Sequence, residues 1–221
     1  MKIGAFDSGI GGTTIVEAIK RQLPNEEYYY IADSKNCPYG EKAETELYNI
    51  VKKNVKELQE WGAKIVVVAC NTATVRCIDK LREDFKGIVF VGTEPAVKVA
   101  LELGAHKILV LATPNTIESE RMQLLADSDT QIDLKACPGL AETIENCLKD
   151  DSKKIEEKLN ELLVEDESYD AVVLGCTHYP LVKDEIQKFY PNAKMVDSSF
   201  GVVKQVVAVV NELEGKNELE K

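Results

Sequence analysis

The sequence predicts an α/β protein of two similar lobes, each a mainly parallel sheet flanked by helices, with the functional site between them. Three observations lead there. Eight short apolar runs are rich in Val and Ile and lack polar alternation, as strands buried on both faces do. Amphipathic stretches separate most of them, and such alternation implies parallel strands joined by right-handed crossovers. The chain also echoes itself. Val66-Val-Val-Ala-Cys70 resembles Val172-Val-Leu-Gly-Cys176, with the two cysteines 106 residues apart, and at the same offset Lys2–Asp7 falls on residues 108–113.

In chain order, strands are expected at residues 2–6, 28–32, 65–69, 88–91, 107–111, 132–136, 171–174 and 194–196. Helical patterns cover 13–22, 41–61, 72–85, 152–164 and 181–189, and the charged residues 214–221 are expected to fray. The repeat divides the chain into a first lobe of residues 1–94 plus 199–221, carrying Cys70, and a second of 95–198, carrying Cys176. Both cysteines then stand at the carboxyl end of a strand, where open α/β sheets bind ligands.

Composition narrows the partners. Among 221 residues, 44% are apolar, enough for a substantial core, and the net charge is −11 with pI near 4.8. Nucleic acid is disfavoured, because it needs clustered Lys and Arg. Runs such as 65–70 and 171–174 are far too short to span a bilayer, and no signal-peptide pattern opens the chain. The expectation is a cytoplasmic soluble protein whose six cysteines stay reduced. No cysteine or histidine spacing matches a zinc motif and only two histidines are present, so no metal site is expected.

Two thiols facing one ligand suit inversion at a carbon acid. The proton leaves from one face and another arrives at the opposite face, so one acid/base group per face is the simplest arrangement. A thiol's ordinary pKa near ~8.5 lies within reach of neutrality. Each cysteine precedes a helical pattern, whose N-terminus favours anions. Asn71, Thr72 and Thr177 offer donors for a carboxylate. The plain alternative for a strand-end cysteine is a small apolar filler; Cys77, Cys137 and Cys147 are read that way, and Cys37, beside Pro38-Tyr39-Gly40, is left open. Asp7-Ser8-Gly9-Ile10-Gly11-Gly12 lacks the spacing of a phosphate loop and reads as a tight strand-to-helix turn. Asp7 could orient a substrate ammonium or adjust a thiol, or it could cap the helix. His178 could polarise a group near Cys176 or be structural. Glu94 could pair with His178 across the cleft or cap a surface helix.

These segments resemble the glutamate racemase family of the aspartate/glutamate racemase superfamily. The resemblance rests on Phe6-Asp-Ser-Gly-Ile-Gly-Gly12, Pro38-Tyr-Gly40, Val68-Ala-Cys-Asn-Thr-Ala-Thr74, Glu94-Pro95, Ala136-Cys-Pro138 and Leu174-Gly-Cys-Thr-His-Tyr-Pro-Leu181, in the family's order from residue 6 to about 198. It implies a two-lobed α/β fold that works without pyridoxal phosphate, metal or other cofactor, on a small amino acid, glutamate first. By the family pattern Cys70 and Cys176 are the catalytic bases, Asp7 and His178 assist them, and Glu94 supports His178. Ser8, Pro38, Tyr39, Gly40, Asn71, Thr72, Thr113, Thr116 and Thr177 would line the substrate site. The implied role is D-glutamate supply for peptidoglycan and cell-wall biogenesis, with a homodimer left open. Departures are Asn36 in place of a usual arginine, Met122 in place of an aromatic, Ala141-Glu142 in place of Val-Pro, and an end roughly one strand and helix short of typical members.

Alternatives are weighed against that. An aspartate or other amino-acid racemase or isomerase would keep the fold; Thr74 and Thr177-His178, usually missing from aspartate racemases, argue for glutamate. A non-catalytic amino-acid-binding relative is opposed by the presence of both cysteines. A nicotinamide-dependent dehydrogenase is opposed by the first turn, which lacks GxGxxG, although Asp33 could pose as its acidic residue.

Overall fold

The computed structural model describes residues 1–126 and 130–219. It holds two four-stranded parallel sheets. In the first, β1 (Lys2–Asp7) lies between β2 (Glu27–Ala32) and β3 (Ile65–Val68), and β4 (Val89–Gly92) completes the far edge. In the second, β5 (Lys107–Ala112) lies between β6 (Gln131–Ala136) and β7 (Ala171–Leu174), with β8 (Lys194–Val196) outside β7. The orders β2-β1-β3-β4 and β6-β5-β7-β8 are the same order used twice. Every residue of β3 and β7 is buried, whereas the edge strands β2 and β6 are only partly covered. That is why the inner strands read as unbroken Val/Ile runs and the edges carry Tyr, Gln, Asp and Lys.

The helices are α1 (Thr13–Gln22), α2 (Glu44–Trp61), α3 (Asn71–Asp84), α4 (Val97–Glu102), α5 (Pro114–Ile117), α6 (Glu120–Ala126), α7 (Leu140–Cys147), α8 (Ser152–Leu162), α9 (Lys183–Gln187) and α10 (Ser199–Leu219). Helix α2 starts three residues later than its pattern suggested and ends where Gly62 takes φ 95°, the left-handed cap that glycine alone adopts cheaply. The expected helix at 181–189 divides into a 3-10 turn at Tyr179–Val182 and the short α9. Pro180 has no N–H to give an α-helical ladder, and Leu181 bonds back only three residues to the His178 carbonyl at 3.0 Å. Helices α4 to α7 are short enough that periodicity gave no warning of them.

Helix α10 runs through Leu219, into the stretch expected to fray; residues 220–221 lie outside the described residues. Its i, i+4, i+8 positions Val202, Val206 and Val210 are buried against Ile15 and Ile19 of α1 and Ile3 of β1. Each such valine contributes roughly 1.5 kcal/mol or more by leaving water. The C-terminal helix therefore covers one face of the first sheet, and α2 and α3 cover the other through Leu47, Val51, Val55, Leu58, Ile78 and Leu81. The second sheet is built likewise, with α7, α8 and α9 on one face.

The internal repeat is real at the backbone level but shifts by one residue between strands. Ala69 N–H reaches the Phe6 carbonyl at 2.9 Å, and Gly175 N–H reaches that of Leu111 at 2.8 Å. Asp33 and Cys137 bond in the same way to Asp7 and Ala112. So Cys70 does correspond to Cys176, but Asp7 corresponds to Ala112 and Ser8 to Thr113. The sequence alignment that set Asp7 on Thr113 is one residue out along the central strand, where apolar residues follow one another and offer no landmark.

Candidate active site

The carboxyl ends of β1 and β3 face those of β5 and β7, and both cysteines lie there, buried and free. Cys70 is the N-cap of α3 with extended backbone. The pairing of β1 with β3 sets Phe6 beside Val68, so the chain leaves β3 two residues before the thiol, next to Ser8. The Cys70 thiol lies 3.9 Å from Ser8 Oγ. Cys176 leaves β7 in the same way and lies 3.8 Å from His178 Nδ1. Asp7, at the end of β1, is fully buried and accepts from Gly12 N at 2.7 Å and from Thr177 Oγ1 at 3.1 Å.

The two thiols have unlike surroundings. Burial pushes Cys70 well above the ordinary thiol value; the Asp7 charge adds to this, while the Ala73 amide and Ser8 oppose it. Asp7 is itself raised by burial, against the pull of His178, the Gly12 and Ser8 amides and Thr177. Around Cys176 the neighbouring group is a potential cation. Burial alone would pull His178 down, but hydrogen bonds to Cys176, Cys37 and Glu145 outweigh it and hold the ring well above an ordinary histidine. Cys176 precedes a 3-10 turn rather than a full α-helix, so His178 supplies the positive field that a helix N-terminus supplies at Cys70.

His178 does not meet Glu94. The Glu94 side chain is 51% exposed and pairs with Arg121, which also grips Asp79 at 2.8 Å. Glu94 follows β4 at the sheet edge, where Arg121 takes it; pairing it with His178 is corrected by the structure. The partner is Glu145 of α7, whose Oε2 lies 2.7 Å from His178 Nε2 and whose carboxyl is lowered to about 2. Burial alone would raise this carboxyl, but bonds from His178, Ser34 and the Ile10 amide prevail. Sequence reasoning missed Glu145. Its signal was an acid one position after buried Ile144, at the edge of the inner face of a helix too short to be noticed.

The remaining candidates divide between the cleft and its walls. Thr72 Oγ1 lies 2.9 Å from Thr113 Oγ1 and 3.3 Å from Thr116 Oγ1, a buried hydroxyl cluster joining the two lobes. Asn71, also buried, leaves both side-chain polar atoms unpartnered, which is costly unless a ligand satisfies them. Thr177 reaches Asp7. Pro38, Tyr39 and Gly40 form a wall: the Tyr39 hydroxyl turns away to Asp33 at 2.6 Å, while its carbonyl accepts from Asn115 of the other lobe at 3.2 Å. A Cβ on Gly40 would sit 2.5 Å from Thr113 Cβ, so only glycine allows this approach. Thr74 serves structure, receiving Thr93 N–H at 2.9 Å and donating to the Val68 carbonyl. Asn36 bonds Asp33 at 2.8 Å, and Met122 is buried in the second lobe's core, so neither departure from the family pattern touches the thiols.

Among the described residues, one group brings metal-ligating atoms together: Cys37, Glu145 and His178, all within 4.8 Å of one another. Linear spacing could not reveal it, because Cys37 lies over a hundred residues before Glu145 and His178. No described helix is long and apolar enough to cross a membrane.

The chain that carries these two strand-end thiols, with an acid beside one and a histidine–carboxylate pair beside the other, is similar to known racemases. The sequence profile of Asp/Glu/Hydantoin racemase matches residues 12–211. A glutamate racemase of Clostridium acetobutylicum is 41% identical over 210 residues, covering 92% of this chain and 82% of its own. The crystal structure of Escherichia coli glutamate racemase in complex with L-glutamate and the activator UDP-MurNAc-Ala superposes with a TM-score of 0.84 at 32% identity, covering 95% of this chain and 82% of that one. That of the Francisella tularensis enzyme with D-glutamate gives 0.82 at 30%, covering 96% and 82%. A Picrophilus torridus aspartate racemase shares the fold at 17% identity and a TM-score of 0.66. With its family profile spanning nearly the whole chain, and with its two α/β lobes matched by solved glutamate racemases, the protein belongs to the Asp/Glu/hydantoin racemase family and is an amino-acid racemase.

Proposed function

We propose that the chain interconverts L- and D-glutamate without a cofactor, using Cys70 and Cys176 as the two acid/base groups. The observation that carries this is the equivalence of the two cysteines at facing strand ends, each with its own charged assistant. In one direction the thiolate of one cysteine takes the Cα proton while the thiol of the other delivers a proton to the opposite face; in reverse the roles exchange. The Asp7 charge disfavours a Cys70 thiolate in the empty cleft. A substrate ammonium beside Asp7 offsets that charge and frees the thiolate when substrate is present. The cationic His178 stabilises a Cys176 thiolate or returns its proton, held by Glu145. Asn71 and the Thr72, Thr113 and Thr116 hydroxyls stand ready for the carboxylates, and Ser8 and Thr177 complete the cradle. The glutamate complexes and names of the most similar relatives support glutamate over aspartate.

This reading keeps the lobes as residues 1–94 plus 199–221 and 95–198, supported by the packing of α10 on α1. The cellular role follows: D-glutamate for peptidoglycan, made in the cytoplasm, where six free cysteines suit the reducing conditions.

The test is circular dichroism of L- and D-glutamate in D2O with a thiol reductant. Optical signal should vanish from either enantiomer, with deuterium arriving at Cα. Cys70→Ser and Cys176→Ser should each lower racemisation by about a thousandfold or more, the scale of losing an essential acid/base group. Full activity in either variant would refute the two-thiol assignment. Silence with glutamate but turnover of aspartate would refute the substrate.

A further inference from the structure

We propose that Cys37, Glu145 and His178 form a binding site for a borderline-soft divalent cation of the Zn2+ class, which ties the two lobes together and inhibits the enzyme. Cys37 belongs to the first lobe, just before Pro38; Glu145 and His178 belong to the second. Three atoms all within 4.8 Å of one another share a point within about 2.8 Å of each, so small side-chain shifts reach the ~2.0–2.3 Å of zinc bonds to nitrogen, oxygen and sulfur. The set of thiolate, imidazole and carboxylate is one that zinc accepts, with a fourth position open to water.

The site is built rather than incidental. Glu145 is held from outside by Ile10 N–H at 2.8 Å and by the Ser34 hydroxyl, and its side chain is 7% exposed. Such supporting bonds orient metal ligands. A Cβ on Gly9 would sit 2.2 Å from Glu145 Oε2, so the first-lobe turn closes over the carboxylate. Binding releases two protons to solvent: the Cys37 thiol proton, and the proton that His178 shares with Glu145. The inhibitory half of the proposal rests on the racemase reading, because it works by occupying His178 and holding the cleft shut. The binding half does not.

Co2+ serves as the probe, titrated into the full-length protein and followed by its thiolate-to-cobalt charge-transfer absorption. One equivalent should produce the band in the wild type and in Cys70→Ser, and none in Cys37→Ser. Zn2+ should raise the thermal midpoint of the wild type but not of Cys37→Ser, and the Zn2+ concentration for half-inhibition should rise at least about tenfold in that variant, as for loss of a metal contact. A band that survives Cys37→Ser, or that disappears in Cys70→Ser, would put the ion on the catalytic thiols and overturn the site. Racemisation measured without metal in the same Cys37→Ser protein reports separately on the catalytic reading.

Discussion

Replacing Glu145 by Gln keeps the shape of the partner of His178 and removes its charge. The Glu145 carboxyl is lowered from 4.5 to about 2, and each unit is worth about 1.36 kcal/mol, an upper figure of roughly 3.4 kcal/mol. The carboxylate is only partly shielded by protein, so screening takes part of that and leaves about 2 kcal/mol. A charge-assisted hydrogen bond is independently worth ~1.5–3 kcal/mol, which agrees. The sign fixes the pH window. The depressed carboxyl stabilises the fold above its unfolded value of 4.5, and that stabilisation is lost as pH falls through about 2. The raised histidine stabilises fully below its unfolded value of 6.5, and its contribution is lost as pH climbs through the higher folded value. The pair therefore matters most between these two unfolded values. Urea unfolding of wild type and Glu145→Gln should differ by about 2 kcal/mol near pH 5.5, and by less than half of that near pH 3, with equal m-values. Turnover should fall with the cation that Glu145 holds beside Cys176. A stability difference that stays the same down to pH 3, or none at pH 5.5, would refute the charge-pair account.

Gly11 lies where the lobes press backbone against backbone: a Cβ there would meet the Thr177 carbonyl carbon at 2.6 Å and His178 N at 2.7 Å, atoms that cannot swing aside. Gly11→Ala should cost ~1–3 kcal/mol of closure and lower kcat/KM roughly tenfold to a hundredfold while leaving the fold's circular dichroism intact; unchanged kinetics would show that the cleft need not close this far. Glu94→Ala should leave racemisation within about twofold and stability within ~1 kcal/mol, because an exposed ion pair with Arg121 contributes little; a collapse of activity would restore Glu94 to the site.

The features legible in the sequence were those that repeat. Strands β3 and β7, buried on both faces, could only be written in Val, Ile, Leu and Ala, and the cysteines closing them stood out for that reason. Turn residues followed from Gly9, Gly11 and Gly12 without ambiguity. What was not legible came from elements too short to show a period or from contacts made across the cleft. Helix α7 spans eight residues, so Glu145 carried no pattern, and Glu94 seemed the nearer acid only because it stood in a recognisable motif. The cluster of Cys37 with His178 and Glu145 joins residues with no linear spacing to betray it. The one-residue slip between β1 and β5 escaped because a wholly apolar central strand has no polar mark to fix its register.

That slip, once corrected, exposes how the two lobes depend on each other. Cys70-Asn71-Thr72 and Cys176-Thr177-His178 occupy equivalent positions after β3 and β7, yet each segment is anchored on the opposite lobe's central strand. Thr177 donates to Asp7 at the end of β1, and Thr72 bonds Thr113 just past the end of β5. Neither segment is fixed by its own sheet alone. Separating the lobes breaks both anchors at once, along with the bonds from Ile10 and Ser34 that hold Glu145 against His178. Opening the cleft would free the Glu145 carboxylate from its first-lobe supports beside His178, and closing would restore them. Enclosing a ligand and fixing the carboxylate beside His178 would then be a single event.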